Sequence, residues 1–242
     1  MNPIIVIPAR MAATRLPGKP LADIGGLPMI VRALRQAEAA KAGPVVVAAG
    51  DAEIIEAVET AGGRAVLTDP DLPSGSDRVL AALEAVDPQG AHDVVINLQG
   101  DMPFVEPEVL ARTADLMART GCDIATAVAA EASPADRGNP DVVKAILTMV
   151  NGEWEGRALY FTRSTLYGDG PVWRHIGIYG YRRRALERFC AAPPSPLERR
   201  EKLEQLRALE LGLSIHAVVC DAAPLSVDNP VDLEAARELA GS

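Results

Sequence analysis

The chain is poor in the residues that staple or metallate small proteins. Its 242 residues include three cysteines, Cys122, Cys190 and Cys220, far apart and with no CxxC pair. That argues against a disulfide framework and reads as reduced thiols in a cytoplasmic protein. The three histidines, His92, His175 and His216, are equally scattered, which argues against a zinc site. No stretch approaches the roughly 18 apolar residues of a membrane span. The first apolar run, Ile4–Ile7, is short and follows no basic region, unlike a secretory leader. Positive charge is scarce as well: 24 Lys and Arg stand against 33 Asp and Glu, for a net charge of −9. A general nucleic-acid binder would show a basic stripe instead. Internal repeats, low-complexity segments and linkers are missing. The expectation is a soluble cytoplasmic protein with no nucleic-acid or membrane partner.

What the chain does have is apolar residues, 48% of the total, enough for a substantial core. Short β-rich runs alternate with helical patterns. Strands are expected at Ile4–Ile7, Val45–Ala48, Ala65–Leu67 and Val94–Leu98. Helices are expected at Met29–Ala40, after Asp51 as cap and up to Gly62-Gly63, at Asp77–Ala85 and at Pro107–Thr120. Such alternation means a parallel sheet with helices on both faces. After residue 123 the rhythm changes. Ile124–Val128, Val142–Leu147 and Ile176–Tyr181 read as strands without long intervening helices. Leu197–Leu211 reads as a helix, Ile215–Val219 as a strand and Pro230–Ala240 as the last helix. The fold expected is α/β: a Rossmann-like, mostly parallel sheet with a small mixed-sheet extension. Residues 1–242 form a single domain in this reading, with a nucleotide-binding core over 1–123, a mixed-sheet region over 124–228 and a terminal helix over 229–242.

The few cations are not spread evenly. Directly after the first strand, "PARMAATRLPGKPL" (8–21) places Arg10, Arg15 and Lys19 within a dozen residues. Ligands of open parallel sheets bind beyond the carboxyl ends of the strands. Pro17-Gly18 fits the centre of a type II turn, which would hold Arg15 and Lys19 on either side of it. Cations fixed beside exposed backbone N–H groups make a phosphate cradle. Two familiar cradles do not apply. GxGxxG is missing. A Walker A loop fails because Pro20 follows Gly18-Lys19 and Ala13 stands at the upstream glycine position.

Carboxylates stand at two further sites. "VVINLQGDMPFV" ends a buried strand in Gln99-Gly100-Asp101. Pro103 intervenes before the next helix, so Asp101 suits a metal better than a cap; magnesium takes one or two carboxylates plus substrate phosphates. In "LSVDNPVDLEAA", Asn229 reads as N-cap, Pro230 as N1 and Asp232 as N3 of the last helix. This leaves Asp228 outside the helix, either a helix-terminal charge or a second metal ligand.

The opening loop, "LPSGSDR" (72–78), "NLQGDMP" (97–103), "ALYFTRS" (158–164), "RHIGIYGYR" (174–182), "SPLERREKLEQLR" (195–207) and "VDNPVDLE" (227–234) together resemble the 3-deoxy-manno-octulosonate (Kdo) cytidylyltransferases, the CMP-Kdo synthetases, in order and spacing across nearly the whole chain. The first-loop motif is shared among cytidylyltransferases for sugar acids; "HIGIYGYR" and "SPLE…LEQLR" are more specific to the Kdo enzymes. The chain departs from the family at Met102, where many members carry Glu, at Pro73, and in a short segment between Tyr167 and Arg174.

The resemblance implies a nucleotide-diphospho-sugar transferase-like fold, a dimerisation extension and a homodimer. It implies the reaction CTP plus Kdo giving CMP-Kdo and pyrophosphate, for lipopolysaccharide biosynthesis. By position, Arg10, Arg15 and Lys19 would hold the CTP phosphates, with Pro8, Ala9, Ser74, Gly75 and Arg78 near the nucleotide. Asp101 and Asp228 would hold magnesium, with a second ion on the triphosphate during turnover. Gln99, Arg163, His175, Tyr179, Glu204 and Gln205 would line the sugar-acid pocket. Read as residues alone, Tyr179 suits strand packing and Glu204 and Gln205 suit a solvated helix face. The rival readings are cytidylyl transfer to another acid, an 8-amino Kdo or sialic type, and a non-catalytic nucleotide sensor. A nicotinamide oxidoreductase lacks its glycine fingerprint.

Overall fold

A computed structural model of the chain describes residues 1–12, 15–130, 134–150 and 154–241; Ala13 of the opening loop lies outside them. The chain divides into two compact units, Met1–Ala111 with Pro224–Ser242, and Arg112–Ala223.

In the first unit, the expected alternation is present. Strand β1 (Pro3–Ala9) is followed by a short hairpin, β2 (Asp23–Ile24) and β3 (Leu27–Pro28), then by α1 (Met29–Ala39), β4 (Val45–Ala49), α2 (Ala52–Thr60), β5 (Ala65–Leu67), α3 (Gly75–Val86) and β6 (Val94–Asn97). The four longer strands run parallel in the order β5-β4-β1-β6. Ile4, Ile5, Val6 and Ile7 are all buried, the continuous apolar pattern of a strand covered on both faces. Helix α2 ends as expected: Gly62 takes a positive φ of 81°, and the N–H groups of Gly62 and Gly63 close on Glu59 O and Val58 O. The last helix (Pro230–Gly241) buries Leu233 and Ala236 with Val227 against Ile24 and Met29. That apolar cluster fixes the segment just before the helix.

Helix α4 (Pro107–Thr120) leads into the second unit. There the sheet is mixed: β7 (Ile124–Ala130), β8 (Lys144–Met149), β9 (Glu155–Thr162), β10 (Trp173–Arg182) and β11 (Ile215–Cys220). β7 pairs parallel to β11 and antiparallel to β10, and β9 lies antiparallel between β11 and β8. The start of β8 also pairs antiparallel with the start of β10, Ala145 opposite Trp173. Strand β9 was not anticipated. Its first buried positions are the small Gly156 and Ala158, while Leu159 is 54% exposed, so hydropathy hides the period.

The helix expected over 197–211 is two helices, α6 (Pro196–Glu201) and α7 (Gln205–Glu210), preceded by an unanticipated α5 (Arg183–Ala191). Lys202 breaks the run in the left-handed region at φ 55°, and Leu203 N–H reaches back to Glu198 O. Tertiary contacts hold the corner. The Arg207 guanidinium donates to both Glu198 oxygens at 2.6 and 2.7 Å and to the carbonyls of Phe189 and Ala192, and it lies 4.4 Å from the Phe189 ring centroid.

Candidate functional site: a cation loop facing two carboxylates

Because β1, β4, β5 and β6 are parallel, the segments that leave their carboxyl ends emerge on one side of the first unit. They enclose a cavity of about 360 Å³. The loop after β1 contributes Arg10, Arg15 and Lys19 to it, the loop after β5 contributes Ser74 and Gly75, and the loop after β6 contributes Gln99 and Asp101.

The turn expected at "LPGK" is present. Gly18 has φ 70° and ψ 14°, and Lys19 N–H donates to Leu16 O at 3.1 Å, the type II geometry in which glycine meets no steric cost. Gly18 N–H also donates to Met11 O at 3.3 Å, so the loop closes on itself. Its cations face acids. Lys19 Nζ lies 2.7 Å from Asp101 Oδ2 and 3.3 Å from Asp228 Oδ1, and Arg15 pairs with the same Asp228 oxygen at 3.2 Å.

The two carboxylates come from distant parts of the chain. Val227 N–H donates to Asp101 O at 2.9 Å, which joins their loops through the backbone. The capping residues stay with the helix: Asn229 Oδ1 accepts from the N–H groups of Val231 and Asp232, and Asp232 Oδ2 accepts from those of Asp228 and Asn229. The Asp228 carboxylate is left for the cavity. Among the described residues no group of three or more His, Cys, Asp or Glu is placed to hold a metal. Two carboxylates on one ammonium are nevertheless a donor set of the kind a hard divalent cation takes, the rest of its shell coming from phosphates and water.

Ser74 lines the cavity, yet its hydroxyl serves helix α3: it accepts from Asp77 N–H and donates to the Asp77 carboxylate at 2.6 Å. Arg78 is buried at 3% exposure. It donates to Thr68 Oγ1, Asp69 O and Pro70 O and so ties down the loop after β5. Burial first and the charge of Arg10 second draw its pKa down, against the pull of Asp51 and Asp69. Its guanidinium is committed to the wall of the cavity.

Of the six sugar-acid candidates, Gln99 lies in the first unit, lining the cation cavity and donating to Asn97 Oδ1 at 3.1 Å. The other five lie in the second unit. A bulge on β10 pairs Tyr179 opposite Thr126 and His175 opposite Val128. Residues four apart thereby face partners only two apart, and the His175 and Tyr179 rings come within 5.4 Å. His175 Nε2 lies 3.0 Å from Thr126 Oγ1, and Phe161 packs edge-on at 5.0 Å. Burial drops the His175 pKa from 6.5 to about 3. Burial raises that of Tyr179, helped by Tyr181 and Glu204. Gln205 is buried. Arg163 is docked on Pro140 O at 3.0 Å.

Two residues of these neighbourhoods were not anticipated in their observed roles. Lys144 is fully buried, its ammonium held by Asn139 O at 2.7 Å and Arg163 O at 2.9 Å. A lysine inside a strand gives no sequence signal for this. Asp51, expected as a helix cap, makes no side-chain cap bond; its position just past β4 was the available clue.

The model of the family described as cytidylyltransferase matches residues 4–215. The chain belongs to the cytidylyltransferase family. Among curated relatives, the 3-deoxy-manno-octulosonate cytidylyltransferase of Parvibaculum lavamentivorans is 57% identical over 98% of this chain and 92% of its own length. The enzyme of that name from Rhodospirillum centenum is 56% identical over 98% and 93%. The solved structure of CMP:2-keto-3-deoxy-manno-octonic acid synthetase complexed with CTP superposes with a TM-score of 0.91 at 35% identity, covering all of this cytidylyltransferase and 99% of that chain.

Proposed function

We propose that this cytidylyltransferase activates Kdo, converting CTP and Kdo to CMP-Kdo and pyrophosphate for lipopolysaccharide assembly. The observation that carries the reading is one cavity where a rigid cation loop meets two carboxylates, in a chain 57% identical to a relative of that name. The enzyme is read as a cytoplasmic homodimer.

Arg10, Arg15 and Lys19 neutralise and orient the triphosphate, and Pro8, Ala9 and Gly75 offer walls that the nucleotide can approach closely. The anomeric hydroxyl of Kdo attacks the α-phosphorus in line. The new bond joins sugar oxygen to phosphorus, the hydroxyl proton passes to water, and the bond to the β-phosphate oxygen breaks. Charge stabilisation and positioning supply most of the rate. Asp101 and Asp228 are the residues that would hold magnesium. That ion supplies Lewis acidity, lowering the pKa of the sugar hydroxyl and offsetting charge on the α-phosphate. Lys19, which bridges both carboxylates here, would then turn to the phosphates. Arg163, His175, Tyr179, Glu204 and Gln205 are assigned to the sugar acid; His175, neutral through most of the pH range, serves as a hydrogen-bonding group and not as a cation.

The test is pyrophosphate release with CTP and Kdo, with and without magnesium, and with ATP, GTP and UTP as controls. Release that needs CTP, Kdo and magnesium together is expected. Release with a different sugar acid but not Kdo would move the assignment to that acid. CTP binding without release under any condition would leave the sensor.

A further inference from the structure

Arg10 leads the cation loop, and its side chain is exposed. The backbone on both sides of it is held by one dipeptide at the end of β4. Gly50 N–H donates to Ala9 O at 2.8 Å. Asp51 Oδ2 accepts from Met11 N–H at 2.7 Å, across 40 residues of sequence. A side chain on Gly50 would crowd this contact: a Cβ there would come within 3.1 Å of Arg10 Cβ and 3.0 Å of an Arg78 nitrogen, and those neighbours would have to give by a few tenths of an ångström.

Asp51 occupies the N-cap position of α2, with extended φ and ψ of −143° and 146°, but its carboxylate makes no bond to its own helix. An N-cap aspartate usually satisfies one of the free N–H groups of the first turn. Asp51 forgoes that contact for a charge-assisted bond to the loop. Met11 passes the constraint on, because its carbonyl accepts from Gly18 N–H in the turn that carries Lys19. Resting on the proposed function, we infer that Asp51 is a positioning residue for the triphosphate: its carboxylate fixes the backbone of Arg10 and Met11, and through Met11 the Lys19 turn. Near Arg10 and Arg78 it also offsets charge where two cations crowd.

Three variants and two readouts test this. Asp51→Ala should raise KM for CTP about tenfold while leaving KM for Kdo unchanged, the loss expected for one charge-assisted hydrogen bond. Asp51→Asn, which keeps an acceptor, should stay within about threefold of the unaltered enzyme. An unchanged KM for CTP in Asp51→Ala, or an Asn variant as impaired as the Ala variant, overturns the inference. Should Asp51→Ala not fold, Asp51→Ser carries the same comparison. The second readout needs no substrate. Exchange of the Met11 amide, followed by NMR without nucleotide, should speed up in Asp51→Ala and not in Asp51→Asn. Unaltered exchange in Asp51→Ala overturns the inference even if the unaltered protein proves not to use CTP, a failure that would count against the proposed function alone.

Discussion

Lys19 Nζ donates a 2.7 Å hydrogen bond to Asp101 Oδ2 while standing 3.3 Å from Asp228 Oδ1. A single ammonium thus holds together two carboxylates that lie 127 residues apart in the chain (228 minus 101). Like charges facing one cavity repel, and the ammonium between them, with Arg15 on Asp228, offsets that repulsion. An amine fills that place in the structure.

Asp101→Asn removes one charge from this pair without altering its shape. Turnover should fall by roughly 10²-fold or more, as when one preorganised electrostatic contact is lost. Steady-state pyrophosphate release measures it, and near-normal turnover would remove Asp101 from the metal site.

Lys19→Ala should raise KM for CTP and leave folding nearly intact. Asp101 and Asp228 keep 21% and 41% of their side-chain surface exposed, and Arg15 still pairs with Asp228, so both carboxylates stay open to water when the ammonium is lost. Thermal melting beside CTP titration separates the two effects. A collapsed melting temperature would make Lys19 a structural residue.

His175 predicts an acid limb of stability. Its folded pKa of about 3 lies below the unfolded 6.5, so the unfolded chain binds the proton more readily. The contribution is complete above 6.5 and is lost as pH falls toward 3, with a slope of up to about 1.4 kcal/mol per pH unit. Denaturant unfolding across that window should show the slope, and His175→Gln should flatten it.

Arg207→Met should destabilise the second unit by roughly 3 kcal/mol, since it removes both guanidinium bonds from a largely buried Glu198 carboxylate and leaves it the Ser195 N–H. Chemical denaturation measures the loss. A variant as stable as the unaltered chain would show that α5 and the α6–α7 corner hold without the fork.

Sequence alone determined what depends on neighbours along the chain. Continuous apolar runs placed the longer strands of the first unit and runs of period 3.6 its helices, because burial on a sheet or helix face leaves a local pattern. Pro17-Gly18 announced its turn through φ preference, and Asn229, Pro230 and Asp232 announced a cap through hydrogen bonds three residues long. Tertiary structure decided whatever rests on groups distant in sequence. The Lys202 break is spanned by the Arg207 fork onto Glu198, a contact that helix propensity does not record. The close approach of His175 to Tyr179 follows from a bulge set by pairing with β7. Asp51 left its own helix for an amide 40 residues away. Strand ends brought to one side of a parallel sheet, and a helix docked by Leu233 and Ala236, made one cavity from Lys19, Asp101 and Asp228. A local pattern records which residues are buried, but it does not record what lies across the fold from them.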